Sequence, residues 1–146
     1  HYVCKAAAMD RRIKACVAWG AMYHVRNLPA MPAGIRDGFM FVSGSSTVEE
    51  ATKFFESINL DGVAQQIKCP LLVVHGGKDV ITPTENATLT VQHAGGPTEL
   101  LFYEDSMHCC HDRAHIVRPA MADFLAEQLR GRGDWRLDSP GPPSAL

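Results

Sequence analysis

The sequence predicts an α/β protein in which three parallel strands are joined by crossover helices, with one lid-like insertion. Three short apolar runs have the length and composition of buried strands: residues 13–19, 71–75 and 99–103. Helix-like patterns alternate with these runs, and this alternation favours parallel strands with right-handed crossovers. Asp79 follows the second run and His108 follows the third. The carboxyl edge of the sheet is therefore the expected functional site, because open α/β sheets bind ligands there.

The composition restricts the size and the class of the protein. The chain has 146 residues, 46% of them hydrophobic, so one domain with one core is expected. The net charge of -2 leaves no basic surplus for nucleic acid. No apolar run reaches about eighteen residues, which argues against a membrane partner. We expect a small-molecule substrate, and the sequence does not decide whether the protein forms a homo-oligomer.

The first elements are an alanine-rich helix, a strand and a lid. Residues 1–9 carry small or apolar side chains on most faces, as in a closely packed helix, and Gly20 ends the first strand. Residues 22–66 are predicted to form the lid. Between residues 22 and 45, Pro and Gly break any regular period while Met and Phe keep the segment apolar, which is typical of lids over active sites. A long loop packed on the core is the alternative.

A capping box predicts a helix inside the lid. Thr47 and Glu50 have the spacing in which each side chain accepts a hydrogen bond from the backbone amide of the other. Apolar residues then recur at helical spacing and are expected to be buried: Val48, Ala51, Phe54, Phe55 and Ile58. Residues 59–66 form a connector.

Two further helices follow the second and third strands. Thr82, Pro83 and Glu85 predict a helix start with Thr82 as the N-cap, and the Gly-Gly-Pro at residues 95–97 predicts its end. The last helix is expected to start near Arg118. Its buried face is expected to contain Met121, Phe124, Leu125 and Leu129.

The domain is predicted to cover residues 1–130. Residues 131–146 are rich in Gly and Pro and are expected to be a disordered tail. The five cysteines are an odd number scattered over apolar elements, which fits free thiols in a cytoplasmic protein better than a disulfide framework. Residues 108–111 (HCCH) contain four soft ligands, but consecutive side chains diverge and cannot surround one ion, so no metal is expected.

Asp79 and His108 make two-thirds of a catalytic triad. A base that activates a nucleophile needs an acid that orients it, and both residue types follow buried strands here. No Ser or Cys lies in a nucleophile elbow of the G-x-S-x-G type, and Ser43–Ser46 lacks the second glycine. We therefore expect a fragment whose nucleophile lies upstream of residue 1, and which is inactive by itself.

Other residues near the strand ends have weaker claims. His111 is the alternative base, although His108 lies closer to its strand. Tyr23, His24 and His111 are candidates for lining a substrate pocket, with ordinary loop or structural roles as the alternative. His75 is expected to be a buried histidine with a backbone partner and no catalytic role.

Residues 67–79 (IKCPLLVVHGGKD) resemble the acid-bearing stretch of α/β hydrolases, and residues 105–108 resemble the histidine loop of that fold. The HCCH run and the RPxMADFL helix that follows it are similar to the corresponding segments of one subfamily of these hydrolases. That subfamily holds bacterial FrsA-like esterases, the 2,6-dihydroxypseudooxynicotine hydrolase and fungal polyketide-shortening hydrolases. The start, His1-Tyr2 with its alanine-rich helix, resembles the segment directly after G-x-S-x-G-G in those proteins. The resemblance covers about residues 1–130.

The resemblance implies the C-terminal part of an α/β-hydrolase fold, with Asp79 as the acid and His108 as the base. It implies hydrolysis of esters, or of carbon–carbon bonds next to ketones, without a metal or organic cofactor. The partner would be the missing N-terminal half of the same fold. Two other hypotheses stay open: a hydrolase-derived fold that only binds a small molecule, and a three-strand module that pairs through its open sheet edge.

Overall fold

The computed structural model describes residues 1–130 and has a parallel sheet at its centre. Its strands are β1 (Cys16–Trp19), β2 (Leu71–Gly76) and β3 (Thr98–Tyr103), with β2 in the middle. Both pairs are parallel, and Leu71 lies opposite Cys16 on one side and Thr98 on the other. The predicted three-stranded parallel α/β sheet is confirmed.

Helices cover both faces of the sheet because β2 is apolar on both. All six residues of β2 are buried. On one face Leu71 and Val73 pack with small residues of α1 (Tyr2–Met9) and α4 (Thr84–His93). On the other face Leu72 and Val74 pack with residues of α5 (Ala114–Arg130). A central strand between two helical layers needs a continuous apolar run, which is what the sequence contains.

The segment between β1 and β2 is more regular than predicted. Residues 33–43 were expected to be irregular, but they form the helix α2 (Ala33–Ser43), which ends at Gly44 in the left-handed conformation. α2 contains two glycines, Gly34 and Gly38, and in the described part of the chain a Cβ atom on either would meet no atom outside its own helix within 4 Å. Apolar residues recurring at helical spacing in α2 contact a cluster built from Val25, Leu28, Met31, Ala51 and Phe55. This contact, rather than local propensity, keeps α2 helical. The lid role of residues 22–66 stays a prediction.

The capping box of α3 (Val48–Glu56) is confirmed. The Thr47 hydroxyl accepts from the Glu50 amide at 3.2 Å, and the Glu50 carboxylate accepts from the Thr47 amide at 3.3 Å. Of the residues predicted to be buried, Ala51 and Phe55 are buried, whereas Phe54 is 50% exposed. The apolar stripe that α3 buries is thus narrower than its sequence suggests.

Two predicted helix starts were wrong. α4 begins at Thr84 with Pro83 at its N-cap position, and the Thr82 hydroxyl does not cap it but donates to the Gly20 carbonyl oxygen at 3.4 Å. α5 begins at Ala114 rather than near Arg118, since the 3-10 turn of residues 108–113 leads directly into it.

The buried face of α5 also differs from the prediction. It is formed by Val117, Ala120 and Phe124, while Leu129 is 70% exposed. Leu129 lies five residues beyond Phe124, which is about 140° around the helix, so it cannot share that face. The predicted tail, residues 131–146, lies outside the described residues. Within residues 1–130, no helix combines the length and the apolar character needed to span a membrane.

Gly76 provides a test of the close packing at the end of β2. A Cβ atom there would overlap the carbonyl oxygens of Ser106 and Met107. We expect Gly76→Ala to lower the free energy of unfolding by about 1–3 kcal/mol, as for other overpacked sites. Gly38→Ala in α2, where a Cβ meets nothing within 4 Å, should raise it by about 0.5–1 kcal/mol. Urea denaturation measures both, and an unchanged Gly76→Ala midpoint would contradict the packing argument.

Candidate active site

The loops that follow β2 and β3 lie against each other through their backbones. The Gly77 amide donates to the Tyr103 carbonyl oxygen at 2.9 Å, and the Lys78 amide donates to that of Ser106 at 2.9 Å. This approach requires glycine, because a Cβ on Gly77 would overlap the Glu104 carbonyl group. The Gly-Gly turn therefore brings Asp79, two residues after Gly77, to the loop that carries the histidine.

Asp79 is a buried carboxylate whose two oxygens are both hydrogen-bonded. One oxygen, Oδ1, accepts from the backbone amides of Ile81 at 2.9 Å and Thr82 at 2.8 Å. The other, Oδ2, accepts from Nδ1 of His108 at 2.7 Å. The Asp79 side chain has no exposed surface. Three donors thus fix the direction in which the carboxylate faces the imidazole.

His108 presents its second ring nitrogen away from the acid. An ionised carboxylate can only accept, so Nδ1 carries the proton and Nε2 of the neutral imidazole is left as an acceptor. Nε2 has no hydrogen-bond partner within residues 1–130, and 31% of the side-chain surface is exposed. A base oriented by a buried acid, with a free accepting nitrogen, is able to remove a proton from a nucleophile.

A network of side chains shapes the histidine loop, defined here as residues 104–113. The Asp112 carboxylate accepts from the Ser106 hydroxyl at 3.0 Å and from the Met107 amide at 3.3 Å. The Arg113 guanidinium donates to the Ser106 hydroxyl at 2.9 Å. Sequence reasoning missed these residues, although polar side chains on both sides of a functional histidine are a usable signal of loop capping.

The two cysteines after His108 are held in an unusual conformation. Cys109 has φ 57° and Cys110 has φ 48°, so both lie in the left-handed region, which costs a non-glycine residue about 1–2 kcal/mol. Burial raises the pKa of the Cys110 thiol to about 11 and also raises the pKa of Cys109. Neither thiol is therefore ionised at neutral pH, and neither is suited to be a nucleophile.

Tyr23 and His24 are fixed against α4. Both are buried, and their backbone amides donate to the same side-chain oxygen of Asn86, at 2.9 and 3.0 Å. The Tyr23 hydroxyl hydrogen-bonds Nδ1 of His93 at 2.7 Å, and burial raises its pKa to about 12. His24 lies 3.7 Å from the carboxylate of Glu85. Their role in a substrate pocket stays a prediction.

The alternative base, His111, lies elsewhere in the loop. It is exposed, and its ring contacts Trp19 edge-to-face, with the ring centroids 5.4 Å apart. Asp79 contacts His108 and not His111.

The Ser43 hydroxyl donates to the Phe39 carbonyl oxygen at the end of α2. In the part of the chain that the structure describes, no group of three or more His, Cys, Asp or Glu side chains is arranged to hold a metal ion.

His75 lies behind the acid, at the end of β2. It is fully buried, and among residues 1–130 neither ring nitrogen meets the distance and angle of a hydrogen bond. The backbone partner expected from the sequence is represented by the Thr82 backbone, which lies near enough to affect the pKa of His75. Burial lowers the pKa of His75; the Asp79 charge and the Thr82 backbone oppose this shift, and His108 adds to it. His75 is thus a neutral imidazole at neutral pH.

Comparisons with known proteins point to hydrolases. The chain is 28% identical over 130 residues to a 2,6-dihydropseudooxynicotine hydrolase of Paenarthrobacter nicotinovorans. The crystal structure of a 2,6-dihydroxy-pseudo-oxynicotine hydrolase superimposes on 93% of this chain, with a TM-score of 0.83 and 26% identity. The crystal structure of an acetyl xylan esterase from Thermoanaerobacterium sp. JW/SL YS485 superimposes on 84% of this chain, with a TM-score of 0.61 and 19% identity. No protein-family profile matches the chain.

The matched region is a part of each of these proteins. The 146-residue chain aligns over 88% of its own length but over 35% of the Paenarthrobacter hydrolase. It covers 41% of the pseudo-oxynicotine hydrolase structure and 40% of the esterase structure. The predicted architecture, the C-terminal part of an α/β-hydrolase fold, is confirmed by these superpositions.

The buried His75 predicts an acid-sensitive fold. Its pKa is lower in the folded than in the unfolded protein, so the unfolded state binds more protons once the pH falls below the ordinary histidine value of about 6.5. As the pH falls further, the free energy of unfolding decreases until the pH has passed the pKa of His75 in the folded protein. We expect His75→Leu to lose less free energy of unfolding between about pH 7 and pH 5 than the wild type.

Urea denaturation across this pH range measures the difference between His75→Leu and the wild type. His115→Leu, which removes an exposed imidazole of α5, is the matched control and should keep the wild-type pH dependence. Equal pH dependence of the wild type and His75→Leu would show that burial of His75 does not contribute to it.

Proposed function

We propose that this chain, which belongs to the α/β-hydrolase superfamily, provides the acid and the general base of a serine hydrolase. The observation that carries the proposal is the 2.7 Å hydrogen bond between the fully buried Asp79 carboxylate and Nδ1 of His108. It leaves Nε2 of His108 as the accepting atom of the pair. Relatives named as hydrolases and esterases support hydrolysis as the type of reaction.

In this mechanism His108 moves one proton in each half of the reaction. Nε2 accepts the proton of a serine hydroxyl as the serine oxygen attacks the substrate carbonyl carbon, and Asp79 stabilises the imidazolium without being protonated. The imidazolium then protonates the leaving group, which is the alcohol oxygen of an ester or the carbon released from a ketone. In the second half, His108 removes a proton from water, and this water hydrolyses the acyl–serine bond. His108 then returns the proton to the serine oxygen.

The nucleophile and the oxyanion-hole donors are proposed to come from outside these 146 residues. Within residues 1–130, no serine or cysteine side chain hydrogen-bonds to Nε2 of His108, and the cysteines beside it have raised pKa values. The hydrolases that resemble this chain extend well beyond the matched region. The remaining part of the same fold would pair with the sheet next to β1, and the chain alone would be inactive.

The substrate is proposed to be a small, partly apolar ester or ketone. The segment over residues 22–66 contributes an apolar cluster of its own, containing Val25, Leu28, Met31, Ala51 and Phe55, and lid residues commonly select the substrate. One relative is named for hydrolysis of a pseudooxynicotine and a structural neighbour for an acetyl ester. Free thiols at five positions support a reducing, cytoplasmic location.

The coding sequence immediately upstream of residue 1 tests whether a nucleophile precedes this chain. A G-x-S-x-G motif ending a few residues before His1 would supply the serine, and expression of that longer protein would allow assays with aryl esters and with β-diketones. An elbow that carries Ala or Gly in place of serine would instead favour the alternative, a small-molecule-binding protein with a hydrolase-derived fold.

His108→Ala in the longer protein is expected to lower kcat by several powers of ten, because removal of a triad base leaves only binding and oxyanion stabilisation. His111→Ala is the matched control and should stay within about tenfold of the wild type. Circular dichroism checks that both variants fold. A His108→Ala enzyme that retains turnover within about tenfold of the wild type would rule out this base.

A further inference from the structure

The backbone just after His108 is in a conformation that its own side chains do not favour. Cys109 (φ 57°, ψ 14°) and Cys110 (φ 48°, ψ 39°) are consecutive left-handed residues, and neither is glycine. Such residues persist only where surrounding contacts hold them. The direction of the chain at Cys109 sets the direction of the His108 side chain, so whatever holds Cys109 also affects the imidazole.

The amino-terminal side of His108 is held by β2. The Lys78 amide donates to the Ser106 carbonyl oxygen at 2.9 Å, and Asp112 closes the turn by accepting from the Met107 amide. These contacts end at Met107. Beyond the histidine, the Cys110 amide donates to the Met107 carbonyl oxygen at 2.9 Å, and the Cys110 side chain is buried against Leu72 and Val74. Neither contact involves Cys109.

The carboxyl-terminal side is held by Trp19, the last residue of β1. Its indole N–H donates to the carbonyl oxygen of Cys109, and the Cys109 thiol donates to the Trp19 carbonyl oxygen at 3.8 Å. Gly20 makes this approach possible. A Cβ there would lie 2.6 Å from the Cys109 sulfur and 3.3 Å from Cε1 of His108.

β1 is a rigid support for this contact. Trp19 pairs with Val74 of β2 in the parallel sheet, and the Gly20 amide continues the ladder by donating to the Val74 carbonyl oxygen at 2.9 Å. The indole is partly buried and packs against the apolar cluster under α5. A tryptophan used only for packing needs no acceptor in the histidine loop, whereas this one directs its single donor there.

We propose that Trp19 is a positioning residue for His108: its indole N–H holds the left-handed Cys109 so that Nδ1 of the imidazole stays on Asp79. This inference rests on the proposed function for its catalytic meaning. Its structural content, the coupling between an indole hydrogen bond and the histidine tautomer, can be measured on the chain itself.

The test is the tautomer of His108 in Trp19→Phe, read from nitrogen chemical shifts in long-range ¹H–¹⁵N NMR spectra at alkaline pH. Phenylalanine keeps an aromatic ring but removes the donor. We expect the ratio of the Nδ1–H to the Nε2–H tautomer to fall by about tenfold, the factor that the net contribution of one hydrogen bond supports. An unchanged ratio in a folded Trp19→Phe protein would overturn the proposal.

Tyr103→Phe is the matched control, because the Tyr103 hydroxyl is buried near the same loop and has no hydrogen-bond partner among the residues that the structure describes. It should keep the wild-type tautomer ratio, and an equal fall there would overturn the specific role of Trp19. If Trp19→Phe does not fold, site-specific 3-benzothienylalanine replaces the indole N–H with sulfur at nearly constant shape. The same fall is expected, and an unchanged ratio again contradicts the inference.

The outcome separates this inference from the proposed function. Asp79→Asn in the same spectra shows whether Asp79 sets the tautomer at all. If Asp79→Asn has the same His108 tautomer ratio as the wild type, both the acid–base pair and the role of Trp19 are contradicted. A ratio that responds to Asp79→Asn but not to loss of the indole N–H would contradict the role of Trp19 alone.

Discussion

The site depends on the backbone contact between the turn after β2 and the loop after β3. Gly76 and Gly77 have no side chains, and this allows the carbonyl groups of Glu104, Ser106 and Met107 to lie directly over them. Two backbone hydrogen bonds fix the contact, from Gly77 to Tyr103 and from Lys78 to Ser106. The 2.7 Å bond between Asp79 and His108 follows from this geometry, because each residue lies just beyond one of the two strands. A Cβ atom on either glycine would overlap these carbonyl groups and strain the contact that holds the acid beside the base.

Elements whose apolar pattern matches a regular period could be predicted from the sequence. β2 is a continuous apolar run because it is buried on both faces, and the capping box of α3 involves two residues three apart. The contact between Asp79 and His108 was predictable for a similar reason, since each residue follows one of two adjacent strands. Local signals were sufficient wherever the decisive contact lies within one element or between adjacent strands.

Features fixed by tertiary contacts were not predictable in the same way. Thr82 has the sequence of an N-cap, but its hydroxyl is turned to the Gly20 carbonyl oxygen of another strand end, and Pro83 occupies the N-cap position. α2 contains two glycines and is still helical, because its apolar residues pack on the cluster around Phe55. The indole N–H of Trp19 is aimed at a carbonyl group 90 residues away in the chain, and no local pattern reveals such a contact.

The Asp79 carboxylate lies near two imidazoles, those of His75 and His108, and burial determines which of them can become positively charged beside it. His75 and His108 are both close enough to interact with this carboxylate, but His75 is fully buried while His108 keeps 31% of its side-chain surface exposed. Burial penalises a charged imidazole, which lowers the pKa of His75 and keeps that residue neutral. A protonated His75 would neutralise the carboxylate and repel a second positive charge on His108. The neutral, buried histidine behind the acid therefore leaves the full charge of Asp79 for an imidazolium at His108, which the proposed mechanism requires.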